Sequence, residues 1–144
     1  MAVSRAMRRL LQVLEIQEDE CRTAMESARA ELGRLEHALA WSRGRERGGR
    51  RLVASSAVTG EIADRIAGIE ETRTGKRIAA ALAQRIAEAQ LAVDARRREF
   101  LGKRIERRQT QTLIEESEAL ERVEAARRAQ RELDDWFLSR RGKP

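Results

Sequence analysis

The sequence predicts an all-α fold: a long antiparallel two-helix coiled-coil hairpin whose second helix is longer than the first. Charged residues make up 38% of the 144 residues and aromatic residues 3%, and the only proline is Pro144. A composition dominated by Ala, Glu, Leu and Arg is typical of long helices. Because no proline interrupts the chain before its end, nothing in the sequence forces a helix to break.

The first helix is predicted from a heptad pattern between residues 11 and 39. Steps of three and four residues alternate, and all the positions except Glu18 are apolar. These positions are Leu11, Leu14, Glu18, Cys21, Met25, Ala28, Leu32, Leu35 and Leu39. A repeat of about 3.5 residues is typical of the seam of a coiled coil. We therefore predict a helix over about residues 4–47.

Glycines follow this pattern after Trp41 and indicate a turn. Each glycine inside a helix costs about 1 kcal/mol relative to alanine, so a group of them favours a helix end. The group is Gly44, Gly48 and Gly49. Residues suited to capping the start of a second helix come next, namely Ser55, Ser56 and Thr59. The turn is therefore predicted over about residues 48–60.

The second helix is predicted over about residues 60–140. Its apolar stripe begins with Ile62, Ile66 and Ile69 and changes phase near Gly75. The stripe then resumes as Ile78, Leu82, Ile86, Ala89 and Val93. The phase change is typical of a stutter in a coiled coil. The alternative is a second turn at Gly75, which would give three helices.

The two helices are predicted to be unequal. With a turn centred near residue 54, Leu11 faces residue 97, and the acidic residues around Glu18 lie close to Arg96–Arg98. Helix 2 then extends beyond helix 1 by roughly 40 residues, about 60 Å. This part has its own thin stripe: Leu113, Leu120, Val123, Leu133 and Phe137. A solitary helix with an apolar stripe is marginal in water and is typical of a binding surface.

The residue types argue against an enzyme. His37 is the only histidine, and it lies off the seam with no metal-ligand spacing around it. Cys21 is the only cysteine and lies on the seam, where a small core residue is expected. No catalytic, cofactor-binding or metal-binding residues are predicted, and no cofactor. A single cysteine excludes an internal disulfide and is consistent with a reducing compartment.

Charge and hydropathy limit the partners. The net charge of +6 comes from 30 basic and 24 acidic residues, and most helical turns carry both signs. No aromatic residues are interleaved with the arginines for base stacking, so nucleic acid is not an expected partner. No apolar segment approaches the length of a membrane span, and no secretory signal is visible. We therefore expect a cytoplasmic protein that does not insert into the membrane.

The segment Arg127–Arg141 is the most distinctive part of the sequence. It places Trp136, Phe137 and Leu138 together between arginines, and Trp and Arg are enriched at the hot spots of interfaces. The alternative is that these side chains fold back onto an apolar group near the start of the chain. That group is Met7, Leu10 and Leu11.

The layout and the segment Glu118–Phe137, which is followed by a short basic tail, resemble the FliJ/YscO (SctO-like) stalk proteins of type III secretion and flagellar export systems. The resemblance covers most of the chain. It implies a monomeric export stalk that is peripheral to the inner-membrane export apparatus. One end would insert into the pore of the hexameric export ATPase, and the other would reach the cytoplasmic ring of the export gate. Secretion chaperones are a further class of partner that the family implies.

Two groups of residues take roles from this resemblance. The ATPase-binding group is Arg5, Arg8, Arg9, Arg127, Arg128, Arg131, Trp136, Phe137, Arg140 and Arg141. The gate-binding group, on the turn side, is Leu39, Trp41 and Arg43. Flagellar members place tyrosines near the turn, whereas this chain has only Trp41 there, which favours a virulence-type or symbiosis-type member. The alternatives are a generic coiled-coil scaffold or oligomerisation module, and a basic helical protein associated with nucleic acid.

Overall fold

The computed structural model describes residues 5–142, which form two helices joined by a short turn. Helix α1 is Arg5–Thr59 and helix α2 is Ile62–Arg141, with 55 and 80 residues. The two helices pack as an antiparallel hairpin, and α2 is the longer, so the predicted fold class is confirmed. Helix α2 is continuous through Gly75, and the three-helix alternative is therefore wrong.

The turn lies at Gly60 and Glu61, and the turn predicted over residues 48–60 is wrong. Gly60 has a positive φ of 73°, and its N–H donates a 2.8 Å hydrogen bond to the carbonyl of Ser56. A glycine in the left-handed region just past a helix is a common C-terminal cap. The hydroxyls of Ser56 and Thr59 donate back to carbonyls of α1, so these residues end the first helix rather than cap the second.

The glycines of α1 do not end the helix because its heptad pattern continues through them. Leu35, Ser42, Gly49 and Ser56 are spaced by seven residues and are all buried. Glycine at a seam position lets two helix backbones approach closely, and this contact offsets its low helix propensity. Helix 1 therefore extends to Thr59 and does not end near residue 47.

The described residues form two compact units, residues 21–100 and residues 5–20 with 101–142. In the first unit, a seam of small residues packs the two backbones together near the turn. A Cβ atom on Gly49 would lie 2.6 Å from the carbonyl oxygen of Gly68, and one on Gly75 would lie 2.8 Å from the carbonyl oxygen of Ser42. We call this the turn-proximal seam. It consists of Ser42, Gly49, Ser56, Gly68 and Gly75.

The isoleucines at the start of α2 are not part of this seam, which corrects the predicted stripe. Ile62 and Ile66 are 73% and 59% exposed, whereas Gly68 is buried. The buried positions of α2 continue from Gly68 through Gly75 to Leu82 in steps of seven residues. The phase change near Gly75 therefore marks a change of helix face and not a stutter.

The second unit packs through larger side chains. Leu14 of α1 and Ile114 of α2 are buried, and the buried carboxylate of Glu18 accepts a hydrogen bond from Arg107. We call these four residues the terminal seam. The predicted pairing of Glu18 with Arg96–Arg98 is thus wrong, because the turn lies later in the chain than expected.

The part of α2 beyond α1 is shorter than predicted. Arg8 pairs with Glu118 at 3.4 Å, and every described residue from Arg122 onward is exposed. We call Arg122–Arg141 the C-terminal extension. It has roughly 20 residues and a length of about 30 Å, instead of the 40 residues and 60 Å expected.

Candidate protein-docking surfaces

Between residues 5 and 142 the structure contains no group of His, Cys, Asp or Glu side chains that could hold a metal ion. Cys21 is half-buried on the seam, and His37 is exposed. Neither described helix has a stretch long and apolar enough to cross a membrane. The candidate sites are therefore surfaces of the helices.

The outer half of the C-terminal extension presents an aromatic cluster. The rings of Trp136 and Phe137 meet edge to face, with centroids 5.1 Å apart at 81°. The guanidinium of Arg140 lies 4.2 Å from the centroid of the Trp136 ring, in cation–π geometry. Trp136 and Phe137 stay 48% and 60% exposed on a helix that continues to Arg141, so the predicted alternative of folding back is wrong.

The inner half of the extension carries a cluster of three arginines. Arg127, Arg128 and Arg131 line one surface groove together with Glu124. Four residues in the neighbourhood of Arg8 line a second groove with it: Glu118, Glu121, Arg122 and Ala125. Arg8 is thereby placed at the base of the extension, and Arg5 and Arg9 are exposed on the same helix end.

The residues predicted to meet the export gate do not lie at the turn. Trp41 is 18 residues before Thr59 on α1, about 27 Å along the helix. Its indole is 63% exposed, and Arg43 is exposed, but Leu39 is half-buried along the seam. Of the three, Trp41 and Arg43 are thus available to a partner.

An ion pair between the helices fixes the surroundings of Trp41. The guanidinium of Arg45 lies 5.0 Å from the centroid of the Trp41 ring and donates two 2.9 Å hydrogen bonds to Glu71 of α2. These bonds lower the pKa of the Glu71 carboxyl and raise the pKa of Arg45, because both side chains gain a partner in their charged forms. The indole is therefore held on a cation anchored to both helices.

An exposed apolar surface at the turn was not predicted from the sequence. Val58 is 89% exposed, and Ile62 and Ile66 lie exposed immediately after the turn. They were missed because the isoleucines were assigned to the seam and Val58 to a loop. The signal present in the sequence was the heptad spacing from Leu35 to Ser56. This spacing continues α1 past Val53 and therefore indicates a turn near Gly60.

Comparison with known proteins identifies the family of this chain. No curated protein and no solved structure matches the chain. The family model described as "Flagellar FliJ protein" matches residues 4–142, nearly the whole chain. The chain belongs to the FliJ family.

Proposed function

We propose that this chain is the central stalk of a type III secretion or flagellar export apparatus and acts as a structural component, not as an enzyme. The C-terminal extension and the adjacent start of α1 insert into the hexameric export ATPase. The observation that carries this proposal is that α2 continues beyond α1 as an exposed helix bearing arginines and an aromatic cluster. Membership of the FliJ family supports it.

The chemistry of the extension suits a protein partner. Trp136, Phe137 and Arg140 form one preassembled group of the residue types that dominate binding hot spots. The arginines of the inner groove offer planar donors for carboxylates of the ATPase. A single hairpin inside a ring of six subunits breaks the equivalence of those subunits, and it can therefore bias their catalytic cycle.

The link to the export gate is assigned to α1. Trp41 and Arg43 are exposed, and Arg45 orients the indole through its ion pair with Glu71. We therefore assign gate binding to Trp41 and Arg43, with Arg45 as a positioning residue. We propose that a stalk with these two partners lies in the cytoplasm, peripheral to the inner-membrane apparatus.

The test uses the co-encoded hexameric ATPase and the isolated cytoplasmic domain of the gate. Full-length protein is expected to co-elute with the ATPase and stimulate ATP hydrolysis. Truncation after Arg122, and separately Trp136→Ala with Phe137→Ala, should abolish both effects while leaving gate binding unchanged.

Trp41→Ala is the matched control, since it removes an exposed indole from the other surface. It should weaken gate binding and leave ATPase stimulation intact. Absence of both complex and stimulation with the full-length chain would overturn the stalk proposal. A Trp41→Ala protein that binds the gate normally would overturn the assignment of the gate surface.

A further inference from the structure

Helix α2 carries a second apolar face in the unit formed by residues 5–20 and 101–142. Five large apolar side chains between residues 101 and 123 are 41–66% exposed, namely Leu101, Ile105, Leu113, Leu120 and Val123. At about 100° per residue, Leu101, Ile105 and Val123 point away from the buried positions Thr110 and Ile114 on the opposite side of the helix, and Leu113 and Leu120 lie at one edge of the same face. Since α1 packs against that opposite side, it leaves this face uncovered.

Polar residues within this face lie in the same surface groove as the apolar ones. The groove is lined by Ile105, Arg108, Gln109, Thr112, Leu113 and Glu116. We call the exposed set the outer stripe. It consists of Leu101, Ile105, Arg108, Thr112, Leu113, Glu116, Leu120 and Val123.

Five of the eight members of the outer stripe are arranged symmetrically about Thr112, namely Thr112 itself and the pairs Arg108/Glu116 and Leu101/Val123. Arg108 lies four residues before Thr112 and Glu116 four residues after it, while Leu101 and Val123 are each eleven residues away. In a two-fold interface, residue i of one copy contacts residue j of the other, and j contacts i. Two antiparallel copies of α2 crossing at Thr112 would therefore place Arg108 against Glu116 twice and Leu101 against Val123 twice.

The charges of the outer stripe are free to make these contacts. Within the described part of the chain, neither Arg108 nor Glu116 makes an ion pair or a side-chain hydrogen bond, although their neighbours do, as in Arg107 with Glu18 and Lys103 with Glu106. Arg108 and Glu116 cannot pair with each other in one chain, because eight helical residues separate them by about 12 Å. Parallel copies would place Arg108 against Arg108, so charge selects the antiparallel arrangement.

We propose that the outer stripe is a self-recognition surface on which a second copy of this chain binds antiparallel, with the two-fold axis at Thr112. The contact is one helix against one helix over about 33 Å. An interface of that size is small, so the dimer is reversible and dissociates to the monomer on dilution. This inference goes beyond the proposed function, because Val123 is the only member of the outer stripe within the C-terminal extension, and no member belongs to the groups assigned to the ATPase or the gate.

The first test is a charge swap followed by sedimentation equilibrium of the full-length protein. Arg108→Glu alone and Glu116→Arg alone each place like charges together twice, and each should weaken the dimer by about tenfold. The double variant restores opposite charges and should recover the dimer. The matched controls are Arg85→Glu and Glu88→Arg, which make the same charge changes at exposed positions of the other unit. They should leave the dimer unchanged.

The second test fixes the register in a Cys21→Ser background whose helical content is checked by circular dichroism. Thr112→Cys should form a disulfide between two copies, while Leu101→Cys should cross-link to Val123→Cys and not to itself. A protein that is monomeric at every concentration would overturn the proposal. Single swaps without effect, a double variant without rescue, or Leu101→Cys cross-linking to itself would overturn it as well. None of these outcomes depends on ATPase binding.

Discussion

The turn-proximal seam and the terminal seam share one heptad spacing but pack in different ways. Near the turn, Gly49 and Gly68 bring the two backbones together with almost no side chain between them. In the terminal seam, Leu14 and Ile114 fill the space, and Arg107 reaches the buried carboxylate of Glu18. The spacing therefore determines which residues face the partner helix, and their size determines how closely that helix approaches.

This difference also explains where the apolar side chains lie. Because the turn-proximal seam has no room for large residues, Ile62 and Ile66 lie on the exposed side of α2. In the terminal seam Ile114 is buried, whereas Ile105 and Leu113 remain exposed on the outer stripe. Exposed apolar residues on this protein thus indicate surfaces available to partners, since they are not left over from an incomplete core.

The largest expected effect tests the backbone contact itself. Gly49→Leu should destabilise the protein by about 3 kcal/mol or more, because its Cβ would lie 2.6 Å from the Gly68 carbonyl and 2.7 Å from the Thr72 nitrogen. Backbone atoms cannot rotate away as a side chain can, so the helices would have to separate. The measurement is the free energy of unfolding from urea titration followed by circular dichroism.

The adjacent glycine provides the matched control. A Cβ on Gly48 meets nothing within 4 Å, so Gly48→Leu gains helix propensity and should stabilise by up to about 0.8 kcal/mol. Effects of the same sign at the two positions would show that the close contact at Gly49 does not limit packing.

The sequence patterns predicted the fold class and which of the two helices is longer. They did not predict which residues of the two helices lie opposite each other. The low helix propensity of glycine is the same whether the residue ends a helix or packs against another backbone, so it could not assign either role to Gly44, Gly48 and Gly49. Only the contact between Gly49 and Gly68 decides between these readings, and that contact depends on residues far apart in the sequence. Because these glycines were interpreted as a helix end, the turn was predicted too early in the chain. The predicted extension was therefore twice as long as the observed one.

The exposure of the aromatic cluster was easier to predict than the register of the two helices. Trp136 and Phe137 stood out in the local sequence, since large aromatics beside arginines are unusual in a chain with 3% aromatic residues. Composition could not show that Arg140 lies over Trp136, or that Leu39 is half-buried beside the exposed Trp41. These depend on the helical phase and on the partner helix.

An intermediate effect is expected from the ion pair of the terminal seam. Arg107→Met should destabilise by about 2 kcal/mol, because it leaves the Glu18 carboxylate buried without that guanidinium. The expected loss is below the range for fully buried pairs, since the Arg107 side chain keeps 21% exposure. Urea titration at neutral pH measures it.

A double variant separates the ion pair from packing. Replacing Glu18 and Arg107 together by leucine removes both charges, and stability should return to within about 1 kcal/mol of the original or exceed it. Arg98→Met, at an exposed position of the same helix, is the control and should change stability by no more than about 0.5 kcal/mol. If Arg107→Met behaves like this control, the terminal seam does not depend on the pair.

The smallest effect concerns Glu71 and Glu61, two carboxylates of the unit that contains the turn-proximal seam. Their contributions to stability depend on pH with opposite signs. The hydrogen bonds from Arg45 lower the pKa of Glu71, so this group stabilises the fold above its unfolded pKa and loses that contribution as the pH falls through its folded pKa. The hydrogen bond with Asp64 raises the pKa of Glu61, so its contribution is present below the unfolded pKa and is lost as the pH rises through the folded pKa.

Variants that cannot ionise reveal both signs in urea titrations from neutral pH to about pH 2. Glu71→Gln should be less stable than the original protein at neutral pH, and the difference should disappear in acid. Glu61→Gln should be the more stable at neutral pH, because it removes the repulsion from Asp64, and this difference should also disappear in acid. If Glu71→Gln were as stable as the original protein at neutral pH, Arg45 would not hold Glu71 as a pair between the helices. The orientation of Trp41 would then need another cause.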